Sequence, residues 1–237
     1  QIIKNHLSKK EKYAFAYKEL SERLGVKKIE RIDAFDISHQ YMQQGVGSCV
    51  VFAESGASKK DYRLFNIPND IAGNDVASME HVISRRLKYY EDHKPDLILI
   101  DGGRAQLNFT NKILKNFDME KIIVLGIAKG KGRVRATETI YTNKGVIEID
   151  PHSESFKLLS ELRDESHRFA ISASRKKIRK TNKYSALDSV KGIGPITKKA
   201  LLKKFKSLKG IKDASKTDLM TIKNINETMA SEIKQIL

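Results

Sequence analysis

Ile32-Asp33-Ala34-Phe35-Asp36-Ile37-Ser38-His39 reads as a β-strand that carries a carboxylate to its end and then breaks into a polar turn. The apolar residues Ile29, Ile32, Ala34 and Phe35 alternate only imperfectly, the pattern of a strand covered on both faces. An Asp held just inside such a strand is costly to bury unless a cation or a hydrogen-bond donor meets it. Two readings of Asp36 follow: a structural carboxylate capping the turn with Ser38 and His39, or a metal ligand. The stretch alone leaves both open.

Around it, residues 28–37, 45–53 and 59–67 are strand-like. Gln43-Gln44-Gly45 and Glu54-Ser55-Gly56 separate them, which predicts an antiparallel meander. Upstream, residues 8–24 hold no Pro or Gly, place Leu20 and Leu24 on one stripe and end at Gly25, a helix with its C-cap. Residues 1–25 are read as a lead-in. The chain opens on Gln and not Met, so it is expected to be part of a longer protein.

Downstream the period changes. Residues 74–90 place Val76, Met79, Val82, Ile83 and Leu87 at helical spacing, with Asn74 as N-cap. The apolar run 96–100 then ends in Asp101-Gly102-Gly103, a buried strand delivering a second carboxylate. Helix is expected over 105–117, strand over 121–126, a basic turn over 129–132, and a hairpin pairing 136–141 with 146–149 across Asn143-Lys144-Gly145. After Asp150-Pro151 a long helix runs over 152–180, with Leu159, Leu162, Ser166 and Phe169 along one side. A meander followed by alternating helices and strands predicts an α/β fold, a mixed sheet with helices on both faces.

Asp36 and Asp101 each close an apolar strand, and neighbouring strand ends bring two such groups close together. Adjacent carboxylates repel unless a divalent cation neutralises them. Hard oxygen ligands suit Mg²⁺ or Mn²⁺, in the manner of metal-assisted phosphodiester hydrolysis. Asp75 is a further candidate, although an Asp at a helix start also serves the helix dipole. Gly102-Gly103 lacks the Lys-Ser/Thr of a phosphate loop. His167 falls on the edge of the long helix's apolar stripe, beside Arg163 and Ser160. It is either a hydrogen-bonded surface residue or, flanked by Arg163 and Arg168, a metal ligand or proton donor beside a phosphate.

The charge is uneven. Of a net +16, the segment from Arg175 onward carries 17 Lys or Arg against 5 Asp or Glu, a balance of +12. A basic module attached to a nearly balanced one implies a polyanionic partner, most simply nucleic acid. In that module Val190-Lys191-Gly192-Ile193-Gly194-Pro195 precedes a helix bearing Lys198, Lys199, Lys203 and Lys204. Glycines there let a backbone approach a phosphate, and the N–H groups of the following helix start face it. A second copy, Ile222-Lys223-Asn224-Ile225-Asn226, has Asn at both glycine positions. The two hairpins are expected to share a core through Val190, Ile193, Leu201, Ile222, Ile225 and Ile233. The polar, Lys-rich residues 172–185 read as a linker.

A hydrophobic fraction of 40% with 31% charged residues describes a globular protein. No apolar run suffices for a membrane span and no signal peptide opens the chain. The single cysteine, Cys49, excludes an internal disulfide, fits a cytoplasmic setting and reads as a small core thiol.

Phe35-Asp36-Ile37-Ser38-His39, Ile100-Asp101-Gly102-Gly103, Arg163-Asp164-Glu165-Ser166-His167-Arg168-Phe169-Ala170-Ile171 and the Gly192-Ile193-Gly194 hairpin together resemble the C-terminal half of the UvrC family of bacterial nucleotide excision repair. The resemblance implies an RNase H-like endonuclease domain over 26–180 and a small all-α tandem helix-hairpin-helix domain over 181–237. It implies incision 5′ to a lesion with Mg²⁺ or Mn²⁺, on double-stranded DNA carrying a lesion, bubble or junction. In the full-length protein it implies action on the UvrB–DNA pre-incision complex. The catalytic groups it implies are Asp36, Asp101 and His167, which also hold the metal, with Asp75 as an additional acidic residue. Arg163, Arg168, Lys191, Gly192, Ile193, Gly194, Lys198 and Lys199 are the expected DNA contacts. The rival expectations are a non-catalytic DNA-binding scaffold and an RNase H-like resolvase or hybrid nuclease.

Overall fold

The computed structural model describes residues 8–37, 45–90, 93–129, 138–190 and 192–237. In chain order these form α1 (Lys9–Leu24), β1 (Arg31–Asp36), β2 (Val46–Ala53), β3 (Gly56–Ala57), β4 (Arg63–Asn66), α2 (Asp75–Leu87), β5 (Leu97–Asp101), α3 (Arg104–Lys115), β6 (Ile123–Lys129), β7 (Glu138–Thr142) and β8 (Gly145–Ile147). Helices α4 (Glu154–Asp188), α5 (Pro195–Phe205), α6 (Leu208–Asp213), α7 (Lys216–Met220) and α8 (Glu227–Ile236) follow. The expected turns at Ser38-His39, Gln43-Gln44 and 130–132, and Lys191, lie outside the described residues.

The strands form one mixed sheet in the order β3-β2-β1-β5-β6-β7-β8, with β4 also paired to β2. β1 pairs antiparallel with β2, placing Asp36 opposite Ser48, and parallel with β5, placing Phe35 beside Ile100. The meander departs from expectation in one respect, because β3 and β4 both lie against β2, one at each end of it.

Strand alternation sorts the side chains into two cores. Ile32, Ala34, Leu97 and Leu99 meet Tyr17 and Leu20 of α1 and Leu158, Leu159 and Leu162 of α4. Phe35, Cys49, Ile98 and Ile100 meet Val82, Ile83 and Leu87 of α2 and Leu107 and Leu114 of α3. Helices therefore cover both faces, as the near-continuous apolar strands require. α1 is no lead-in: Ser8 and Glu11 close a capping box at its start, Gly25 ends it at φ 68, and Tyr17 and Leu20 are fully buried. Burying a side chain of that size contributes roughly 1.5–3 kcal/mol, enough to make the helix integral to the sheet domain.

The chain divides into two compact units, Gln1–Ser174 and Arg175–Leu237. The stretch expected as a linker is helical, since α4 continues through it to Asp188. Its Lys and Arg are good helix formers and neither Pro nor Gly interrupts it before Gly192. The second unit is all-α around Leu187, Val190, Ile193, Leu201, Ile211, Leu219, Ile225 and Ile233, with Ile222 packed against them.

Candidate active site

The face of the sheet that α4 covers carries Ile32, Ala34, Leu97 and Leu99, so by period two it also carries Asp36 and Asp101. Parallel pairing with Phe35 beside Ile100 brings the two aspartates to adjacent strand ends. On α4, Leu159 and Leu162 point to that face, and His167 follows five residues after Leu162, near one side of the same stripe. One ligand atom from each of Asp36, Asp101 and His167 lies within 4.8 Å of the others. His167 Nδ1 stands 2.8 Å from Asp36 Oδ2. With the carboxylate ionised, the ring donates from Nδ1.

Asp36 is buried, His167 is half-buried and Asp101 is exposed, so one ligand is fixed in the sheet and another is open to solvent. Two carboxylates and an imidazole are a donor set that fits a divalent cation. Asp75 is exposed at the first turn of α2 and is not a member of this group.

Two hydrogen bonds brace the cluster. The Ser48 hydroxyl, buried on the strand beside Asp36, donates to the carbonyl of Ser166, the residue before His167 (2.9 Å). Gly102 N–H donates to Ile127 O at 2.9 Å, turning the chain directly after Asp101. A side chain at Gly126 would place its Cβ 2.7 Å from Gly102 O, so β6 passes this turn only as glycine. Sequence reading missed both Ser48 and Gly126; for the glycine, its place inside an apolar strand was the available signal.

Asp33 points to the opposite face and serves a different purpose. Its Oδ2 accepts from Arg86 Nη2 (2.9 Å) and Tyr90 OH (2.6 Å), and its Oδ1 from Arg31 Nε (2.8 Å). The carboxylate is fully buried and these donors offset its desolvation, joining β1 to the end of α2. Burial drives the Tyr90 phenol and the neighbouring Cys49 thiol well above their ordinary ranges.

Several expected DNA contacts are placed otherwise. The Arg163 side chain is only 14% exposed and is paired with Glu138 and Asp164. Arg168 is exposed and paired with Glu165, whose carboxyl it holds below the usual range by a hydrogen bond. Lys198 is buried at 7% exposure, because its position on α5 faces inward, whereas Lys199 is exposed. Ile193 is a core residue of its unit. Gly192 takes φ 91, and the corresponding Asn224 takes φ 69, so the second hairpin keeps the left-handed turn without glycine. Gly194 and Asn226 both have extended φ/ψ as helix N-caps. Only Asn226 adds a side-chain cap, accepting from Met229 N–H at 2.9 Å.

Residues 21–171 match the family model of the UvrC RNase H endonuclease domain. The chain belongs to the UvrC family. Residues 184–237 match the SAM-like helix-hairpin-helix tandem. UvrABC system protein C of Saccharophagus degradans is 38% identical over 244 residues, covering all of this chain and 40% of that protein. The protein of the same name from Mannheimia succiniciproducens is 39% identical, covering 93% of this chain and 38% of its own length. The chain thus spans about 40% of the length of the UvrC relatives it matches. Among solved structures, the catalytic domain of human endonuclease V superposes with a TM-score of 0.42 at 10% identity, covering 64% of this chain and 85% of that one. An RNase H-like α/β domain is thus followed by a tandem helix-hairpin-helix. Among the described residues, no helix is long and apolar enough to cross a membrane.

Proposed function

We propose that this chain is the incising part of a DNA-repair endonuclease, cutting the strand 5′ to a lesion with Mg²⁺ or Mn²⁺ held by Asp36, Asp101 and His167. The observation that carries the reading is the convergence of these three side chains at two paired strand ends. When bound, a divalent ion there supplies Lewis-acid polarisation of a phosphodiester and a nucleophile at neutral pH. The contact of His167 Nδ1 with Asp36 holds the imidazole at the carboxylate pair, where it would ligate the ion or hold a proton. Asp101 is open to solvent, so an ion that it helped to hold would be accessible to a phosphate. Asp75 adds negative charge at the start of α2 without joining the three.

The second unit binds the duplex. The first turn of α5 has no side-chain cap, and a Cβ at Gly194 would meet nothing within 4 Å. Its missing side chain is therefore not a demand of the fold, and a phosphate can approach the backbone there. Lys199, exposed, supplies charge to the DNA backbone without reading sequence. Within the longer protein, family membership supports action on a UvrB–DNA complex. The domain division proposed is a nuclease over 26–180, together with α1, and a hairpin domain over 181–237.

The test is a nicking assay on a lesion- or bubble-containing duplex with Mn²⁺ or Mg²⁺. Asp36→Asn should abolish nicking and leave duplex binding within about twofold. Unchanged nicking would favour a scaffold whose carboxylates only stabilise strand ends. Preference for an RNA–DNA hybrid in direct competition would favour a hybrid nuclease.

A further inference from the structure

We propose that Arg163 positions His167 and does not meet a DNA phosphate, with Glu138 as its anchor. The inference rests on the reading of His167 as a member of the active site. Arg163 precedes His167 by one helical turn on α4. Its Nη1 is bonded to Glu138 Oε1, and its Nε and Nη2 reach Asp164 Oδ1 at 3.0 and 2.5 Å. The second oxygen of Glu138 accepts from Ser160 Oγ at 2.9 Å. One carboxylate from the sheet thus grips two residues spaced i, i+3 on α4.

The grip is placed where it affects the ligands. Glu138 opens β7 opposite Lys129, two residues beyond Ile127, which is the partner of Asp101. The clamp therefore ties the helix bearing His167 to β7, which pairs with β6, the neighbour of the strand that ends at Asp101, while Ser48 ties the same helix to the strand beside Asp36. Both clamp side chains are largely sheltered, at 14% and 13% exposure. A phosphate taking Arg163 would leave the sheltered Glu138 carboxylate with the Ser160 hydroxyl but no cation, which a duplex contact has to overcome. Outer partners of metal-ligating groups act by holding them in orientation, and losing one costs about 10–100-fold in affinity or activity.

The two roles predict opposite effects for Glu138. If Arg163 positions His167, Arg163→Ala and Glu138→Ala each lower the single-turnover nicking rate at saturating DNA by about 10–100-fold. Each also weakens Mn²⁺ binding measured by calorimetry without DNA, and each leaves the duplex dissociation constant within about twofold. The reversed pair Arg163→Glu with Glu138→Arg recovers part of both losses. If Arg163 instead contacts a phosphate, its loss weakens duplex binding and lowers the salt slope by about one. Glu138→Ala then tightens binding by freeing the guanidinium, and that pattern overturns the proposal. Thermal unfolding checks that the variants are folded; Arg163→Lys and Glu138→Gln replace any that are not. Should the unsubstituted chain bind no Mn²⁺ and Asp36→Asn cut normally, the active-site reading falls and takes this inference with it. Normal Mn²⁺ binding and cutting in both alanine variants overturns the clamp alone.

Discussion

The hydroxyl of Ser48 on β2 donates to the main-chain carbonyl of Ser166 in α4, 118 residues away in sequence, over 2.9 Å in a fully buried setting. Ser48 faces Asp36 across the strand pair, and Ser166 precedes His167. The bond therefore sets the depth at which the helix carrying the imidazole docks on the sheet carrying the carboxylate. Ser48→Ala should destabilise the sheet domain by about 1 kcal/mol, the net worth of one neutral hydrogen bond. Urea unfolding followed by circular dichroism measures it. A midpoint unchanged from the parent would show that the bond contributes nothing.

On the proposed reading His167→Ala removes one of three ligands and leaves the carboxylate pair. Nicking should fall by more than tenfold at low Mn²⁺ and recover partly as Mn²⁺ is raised, because a lost ligand weakens affinity that mass action restores. Asp36→Ala and Asp101→Ala should not recover. Parental rates for His167→Ala at low metal would return His167 to the status of a surface residue.

The clustering of Asp36, Asp101 and His167 was legible because each sits where a short-range rule puts it. Asp36 and Asp101 end apolar strands, and His167 lies at the edge of a helical stripe whose buried members, Leu159, Leu162 and Ser166, the period identifies. What escaped notice is pairing at long range. Asp33 finds Arg86 and Tyr90 at 53 and 57 residues' separation, and nothing local in β1 announces them. Arg163 reads as a free cation because Glu138 lies on another element. The supposed linker failed for a different reason: a polar, Lys-rich composition marks exposed helix as well as loop, and only the absence of Gly and Pro tells them apart. Lys198 failed because one step of 100° around α5 separates an inward position from the outward Lys199.

Gly126→Ala tests the close passage of β6 under the turn after Asp101. The added Cβ would stand 2.7 Å from Gly102 O and 3.4 Å from Gly103 O, both backbone atoms that cannot rotate away. Overpacking of this kind costs roughly 1–3 kcal/mol. Because relief requires moving the turn, Mn²⁺ binding should weaken as well. Loss of stability with undiminished Mn²⁺ affinity would separate the turn from the metal ligands.

Cys49 should be chemically silent in the folded chain. Burial raises its thiol pKa first, and the nearby Asp33 carboxylate adds to the effect, so the thiolate fraction at pH 8 falls below that of an exposed cysteine. A disulfide reagent such as Ellman's should titrate no thiol at pH 8 until denaturant is added, and one thereafter. Rapid reaction of the native protein would mean that the β2 region opens readily.

The two hairpins offer a separation of folding from binding. At Gly194 the backbone is ordinary, with φ −83, and a side chain would meet nothing within 4 Å, so Gly194→Val should leave thermal stability nearly unchanged. It should nevertheless weaken duplex binding, since the added side chain occupies the approach to the uncapped first turn of α5. Asn226→Val should do the reverse. It removes the cap on Met229 N–H, costing about 0.5–2 kcal/mol, while that amide is already engaged in the parent. Titrating a bubble-containing duplex at fixed salt, with thermal melts alongside, distinguishes the two. Equal losses of binding would mean that the second hairpin grips DNA despite its own cap, and the asymmetry argued from Asn226 would be wrong.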